Sequence, residues 1–171
     1  MEDKIIKEIT GVMEKIKEDD YKLLAALVRK SRRVFVTGAG RSGLIGRCFA
    51  MRLRHLGIEG YVVGETICPP IKKGDLLIAI SSSGRKKTVL AIAETAKKEG
   101  ATVLSITSTK DSPLTRISSH KIVIPVERSV QFGDSLFEQA ALIFLDIFVE
   151  RFRKERGISH QDMKKRHTNL E

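Results

Sequence analysis

Residues 34–56 read VFVTGAGRSGLIGRCFAMRLRHL. A β-branched run is followed by a glycine-rich turn, and then by a stretch whose apolar positions recur at three and four. This is a strand, a tight loop and a helix in immediate succession. Gly38, Gly40 and Gly43 give the loop a G-x-G-x-x-G spacing. Glycines let the backbone turn sharply and approach a ligand, and the free N–H groups of a helix start favour an anion. Ser42 reads as the helix N-cap. The same arrangement serves any dinucleotide-binding domain. Glu65, 22 residues after Gly43, lies near where such a domain keeps its ribose-binding acid. From this loop alone, a dinucleotide and a simpler phosphate both remain open.

Outward from this stretch, short β-branched runs alternate with amphipathic ones. Strands are expected at 34–37, 61–63, 76–81, 102–106 and 121–126, and helices at 42–56, 88–99, 113–118, 134–156 and 159–166. Residues 1–30 have helical spacing, with Ile5, Ile6, Ile9, Val12, Met13 and Ile16 on one stripe and a second segment at 21–28. The runs LLIAIS (76–81) and KIVIPV (121–126) are apolar at nearly every position, as in strands buried on both faces. Alternation of this kind means right-handed crossovers. The expectation is one α/β domain over 1–171, a doubly wound, flavodoxin-like five-stranded parallel sheet flanked by helices. Ligands of such sheets bind outside the carboxyl ends of the strands, so function should sit in the loops that follow them.

A chain of 171 residues can bury a full core without disulfides or metal. With 42% hydrophobic and 30% charged residues, wholesale disorder is excluded. Residues 1–20 are charged throughout and hold no secretory signal. The apolar runs are too short for a membrane helix, so no membrane association is expected. Cys48 and Cys68 form no metal knuckle or bridge ladder. They read as small buried hydrophobes in a cytoplasmic protein. Lys plus Arg outnumber Asp plus Glu by 31 to 21, a net charge of +10. Most of that charge lies in mixed-sign runs at 1–33 and 150–171, so nucleic acid is not the expected partner. Arg41, Arg47, Arg85, Lys86 and Lys87 instead cluster on two loops.

The second of these loops is SSSGRKKT, residues 81–88, at the end of the third strand. Three hydroxyls, a glycine, three cations and a helix start stand together there, all of them phosphate-binding groups. A capped helix with a solvated basic turn would explain one such loop. Two on neighbouring strands favour a phosphorylated small molecule.

With both loops in hand, the chain resembles the sugar isomerase (SIS) domain family, and within it the 6-phospho-3-hexuloisomerases. The resemblance rests on GRSGLIGRCFAMRLRHLG (40–57), VVGET (62–66), DLLIAISSSGR (75–85), SLFEQAALIFLD (135–146) and KRHTNLE (165–171). It implies interconversion of 3-hexulose 6-phosphate and fructose 6-phosphate in the ribulose monophosphate pathway, with no cofactor and no metal. By the same resemblance, Ser81, Ser82, Ser83 and Gly84 hold the phosphate, and Ser42, with Gly40 in its loop, contacts the sugar. The family pattern S-x-S-G-x-T has Lys86 in place of its threonine here, with Thr88 two residues later. The roles of Lys86 and Thr88 therefore stay open. Ser82 stands where a glycine is common. Arg41, Arg47 and Arg85 are further candidate substrate contacts.

Moving a carbonyl between adjacent carbons needs a base, an oxyanion donor and a phosphate grip. Glu138, in an otherwise apolar helix start, is the candidate base, and its ordinary reading is a first-turn acid complementing the helix dipole. His167, in a polar tail, would normally be a solvated residue. The resemblance instead gives it a role in proton transfer or ring opening, in its own site or a neighbouring subunit's, and implies that the tail 157–171 lies near the active site. Greasy N-terminal helices and a long apolar helix suggest self-association, and family members are usually dimers or homotetramers with sites near interfaces. A sister isomerase of arabinose 5-phosphate or a heptose phosphate, a non-catalytic sugar-phosphate sensor, and an NAD-binding domain are the alternatives. With about 30 residues before the first strand, no helix-turn-helix reader is expected.

Overall fold

The computed structural model describes residues 1–170. Glu171, the last residue of the terminal motif, lies outside the described residues. Two helices, α1 (Glu2–Met13) and α2 (Glu18–Lys30), precede β1 (Val34–Gly38) and α3 (Arg41–His55). Then follow β2 (Gly60–Val62), β3 (Leu76–Ile80), α4 (Lys87–Lys98), β4 (Thr102–Thr107), α5 (Pro113–Ile117) and β5 (His120–Val123). The chain closes with α6 (Ser135–Glu155) and α7 (His160–Lys165). All strand pairs are parallel, in the order β2-β1-β3-β4-β5. The strand order reverses at β1 and β3, and the loops after those two strands face one another across that switch point.

β3 sits in the middle because all five of its residues are apolar and buried. β5 was expected to be buried on both faces, but it is an edge strand whose His120 and Lys121 are exposed. Its ladder ends near Pro125, which has no N–H to donate. On one side of the sheet α1, α2, α3 and α6 enclose the larger core. On the other, α4 and α5 cover β3 and β4.

α6 carries the largest share of that core, with Phe137, Phe144 and Phe148 almost wholly buried. Truncating any one of them to alanine would cost about 3–5 kcal/mol. Its apolar face is covered within the chain by α1, α2 and α3, and Val12, Leu24, Leu27 and Val28 are buried there too. Most of the apolar surface of these helices is thus covered within the chain. Among the residues that stay exposed are Ile6 on α1, Phe132 before α6, and a stripe of Leu44, Cys48 and Met51 along α3. Cys48 is therefore not the buried hydrophobe expected of it, whereas Cys68 is half-buried. No helix among the described residues is long and apolar enough to cross a membrane.

Candidate active site at the switch point

The first loop is built by close approach. A Cβ at Gly38 would lie 2.8 Å from the Ser42 carbonyl carbon, and one at Gly43 would lie 2.8 Å from the Gly38 oxygen. Gly46 likewise allows α3 to pack on Val36. The turn closes at Gly40, which has a φ of +59° and accepts from the N–H of Gly43 at 2.9 Å. Gly40, not Ser42, is the N-cap. The helix starts earlier than expected, and Ser42 is buried inside its first turn with no capping duty.

The serine loop is held from three sides. The Ser82 carbonyl accepts from Thr107 Oγ1 at 2.7 Å, Ser108 Oγ at 2.9 Å and the Ser108 N–H at 3.0 Å. Ser82 Oγ donates to Asp134 Oδ1 at 2.9 Å, which ties the loop to the start of α6. Gly84, with a φ of +61°, leaves no room for a side chain, since a Cβ would fall 2.2 Å from Ser112 Oγ. Ser81 Oγ is buried and has no hydrogen-bond partner among the described residues. An unpaired buried hydroxyl is costly unless something else satisfies it.

The two loops and the head of α6 enclose a cavity of about 190 Å³, lined by Ala39, Gly40, Arg41, Ser42, Ile80, Ser81, Ser82, Ser83, Lys86, Asp134 and Glu138. That is below the roughly 300–1,000 Å³ of pockets for drug-sized ligands, a size for a small polar molecule. Glu138 is buried on the first turn of α6, its N–H bonded to the Asp134 carbonyl at 3.0 Å. Its carboxylate accepts from Arg41 Nε. The first turns of α3 and α6 thus meet at a cavity that holds this buried carboxylate together with Arg41 and Lys86.

Seven of the sequence candidates line this cavity: Gly40, Arg41, Ser42, Ser81, Ser82, Ser83 and Glu138, with Lys86 as an eighth. Between the two residues left open, Lys86 is on the wall and Thr88 is exposed away from it. Gly84 shapes the loop without lining the cavity. Arg47 is off the wall and pairs with Glu65, which gives that acid a local partner. Arg85 is exposed and also outside the lining. The Ser82 hydroxyl is already engaged by Asp134 and Ser108, so it braces the loop. Asp134, at the N-cap position of α6, makes no side-chain capping bond and lines the site. Its proximity to Glu138 in the chain was the only signal for it.

His167 and the tail lie elsewhere in their own chain. His167 stacks on His55, ring centroids 5.0 Å apart, at the carboxyl end of α3, and Arg166 Nη1 donates to the His55 carbonyl at 3.0 Å. Burial pushes the His55 imidazole below its ordinary value, helped by the charges of His167 and Arg52. The 15 residues of α3 put roughly 20 Å between this end and the loop at its start. Within one chain the tail therefore stands away from the two loops. A larger cavity of about 1070 Å³ opens here, lined in part by Arg52, His55, Asp146, Glu150, His160 and His167. Neither the glycine-rich loop nor the serine loop contributes to its lining.

A family model for the SIS domain matches residues 27–147. The chain is 41% identical over 142 residues to a 3-hexulose-6-phosphate isomerase of Methanocaldococcus jannaschii, covering 82% of this chain and 78% of that one. It is 36% identical over 172 residues to one of Mycobacterium gastri, covering 96% and 86%. Its fold matches a crystal structure from Methanococcus jannaschii with a TM-score of 0.91 and 35% identity, over 99% of this chain and 98% of that one. The function inferred for that protein is 3-hexulose-6-phosphate isomerase.

Proposed function

The chain belongs to the SIS domain family, and from that premise we propose that it is an isomerase interconverting 3-hexulose 6-phosphate and fructose 6-phosphate. The observation that carries the reading is the unpartnered Ser81 hydroxyl, in a cavity shared with a cation on each loop and a buried carboxylate. Ser81, Ser83 and Lys86 receive the phosphate, and Ser42 faces the sugar. Ser82 and Gly84 keep the cradle in shape.

Glu138 is the general base. From fructose 6-phosphate it takes the C3 proton while the C2 carbonyl oxygen gains one, giving a cis-2,3-enediol. Protonation at C2 and loss of the O3 proton then leave the carbonyl at C3. The substrate is a phosphorylated ketohexose, and the step would belong to the ribulose monophosphate pathway. Two unpaired cysteines fit a cytoplasmic setting.

His167 acts in a second subunit's site, as a helper in proton transfer or ring opening. Leu44, Cys48 and Met51 are exposed at i, i+4 and i+7 on α3. Packing this stripe against the same stripe of a second copy, antiparallel, sets the carboxyl end of one α3 over the amino end of the other. That spans the roughly 20 Å and carries His167 of the partner subunit to the cavity, in a dimer or a homotetramer.

The test is proton NMR in deuterium oxide with fructose 6-phosphate and no added cofactor. The C3 signal should vanish as deuterium enters. Tight binding that leaves C3–H intact would describe a sensor and defeat the isomerase reading. Mixing Glu138→Gln and His167→Ala subunits should restore part of the exchange each lacks. Mixtures no more active than their parts would put His167 outside the partner's site.

A further inference from the structure

We infer that Arg41 is a positioning residue that couples the grip on the phosphate to the freedom of the base, by moving between two anions. The inference deepens the isomerase reading and rests on it. Arg41 belongs to the first loop, and its Nε donates to Glu138. Both line the same small cavity as Ser81, Ser83 and Lys86. The two partners are unequally held. The Glu138 side chain is 9% exposed and fixed on α6, while that of Arg41 is 63% exposed. Only the guanidinium can swing.

Three anionic groups then compete around one cation. Asp134 is committed to Ser82 Oγ at 2.9 Å. Glu138 offers a single carboxylate charge, and an ion pair with one well-exposed partner is weak. A phosphate offers up to two charges and three oxygens in the fork geometry that a guanidinium matches. It would sit beside Lys86, which has no carboxylate within salt-bridge distance among the described residues, and Ser81 Oγ, which lacks a partner. A phosphate seated there draws Arg41 off Glu138. The carboxylate regains the lone pair that the guanidinium had occupied, at the moment when a C–H bond lies before it. Binding energy of the non-reacting phosphate is thus used at the reacting carbon. A sugar without phosphate leaves Arg41 on Glu138 and reacts slowly.

The experiment cuts the substrate in two. C3 exchange of unphosphorylated fructose in deuterium oxide is measured with and without saturating inorganic phosphate, for the native protein, Arg41→Ala and Arg41→Lys. In the native protein inorganic phosphate should raise the exchange rate roughly tenfold or more. In Arg41→Ala that activation ratio should fall to near one, and Arg41→Lys, which keeps a mobile cation, should recover part of it. If Arg41→Ala slows exchange but keeps the native ratio, Arg41 only orients Glu138 and the coupling is overturned. It is equally overturned if the native protein shows no activation by phosphate. Exchange of intact fructose 6-phosphate is run alongside. Its absence would sink the isomerase reading itself, and its presence assigns a failed activation to the coupling alone.

Discussion

The two ends of β3 treat their polar groups in opposite ways. At its start, Asp75 is fully buried, yet Arg33 donates to both its oxygens at 3.1 and 2.6 Å, the Lys72 N–H donates at 2.8 Å, and Arg32 stands 3.6 Å away. Burial pushes the Asp75 carboxyl up, but those hydrogen bonds and charges outweigh it and hold it below the ordinary range. At the other end the Ser81 hydroxyl has no partner among the described residues, and Glu138, in the same cavity, has one exposed arginine. A saturated buried acid serves the fold. An under-satisfied group in a cavity is a standing invitation to a ligand.

The sharpest way to break this comparison is to remove the charge at each end. Glu138→Gln should lower the isomerisation rate about 10³-fold, as for loss of a general base. Its unfolding free energy in guanidinium should stay within about 1 kcal/mol of the native value, because Arg41 is exposed and can return to water. A large loss of stability would make Glu138 a structural acid like Asp75.

Asp75→Ala should do the reverse, losing about 3–5 kcal/mol of stability by leaving Arg33 without its partner, with the turnover of the folded fraction unchanged. The pH dependence follows from the depressed folded-state value. The Asp75 contribution is complete above the unfolded carboxyl value of about 3.9 and is lost as pH falls through the lower folded one. The stability gap between native and Asp75→Ala proteins should therefore be flat from pH 8 to about 5 and close below about 4. A gap closing near neutrality would point to another group.

The smallest effect sharpens the contrast most. Ser81→Ala should weaken fructose 6-phosphate binding about tenfold by calorimetry, yet leave stability equal or slightly higher, since it deletes a buried hydroxyl that bonds to nothing. A clear destabilisation would mean that the hydroxyl already has a structural role.

Much of the site was legible because it is local. Gly38, Gly40 and Gly43 are read from spacing, and the run 81–84 sets three hydroxyls and a glycine within four residues. What escaped is non-local. Arg41 meets Glu138 across 97 positions and Ser82 meets Asp134 across 52, and no periodicity reports such pairs. Ser42 was misjudged as a cap because its residue type suits one, while the turn geometry needed the positive φ of Gly40. Thr88 lost to Lys86 because α4 begins at Lys87, which carries Thr88 past the rim of the cavity. His167 was tied to the site by likeness alone, and likeness carries no distance.

By itself the sequence determined the alternation of strands and helices and the edge of the sheet where the glycine-rich and serine-rich loops meet. Those follow from hydrophobic period and glycine stereochemistry, which act over a few residues at a time. Only the tertiary structure decided that β5 lies at the rim, that α6 spends its apolar face inside the chain, and that His167 stands at the far end of α3. It also decided which acid is saturated and which keeps a single movable partner. A charge is neutralised by whatever the folded chain brings within a few ångströms of it, and here those partners come from segments tens of residues apart.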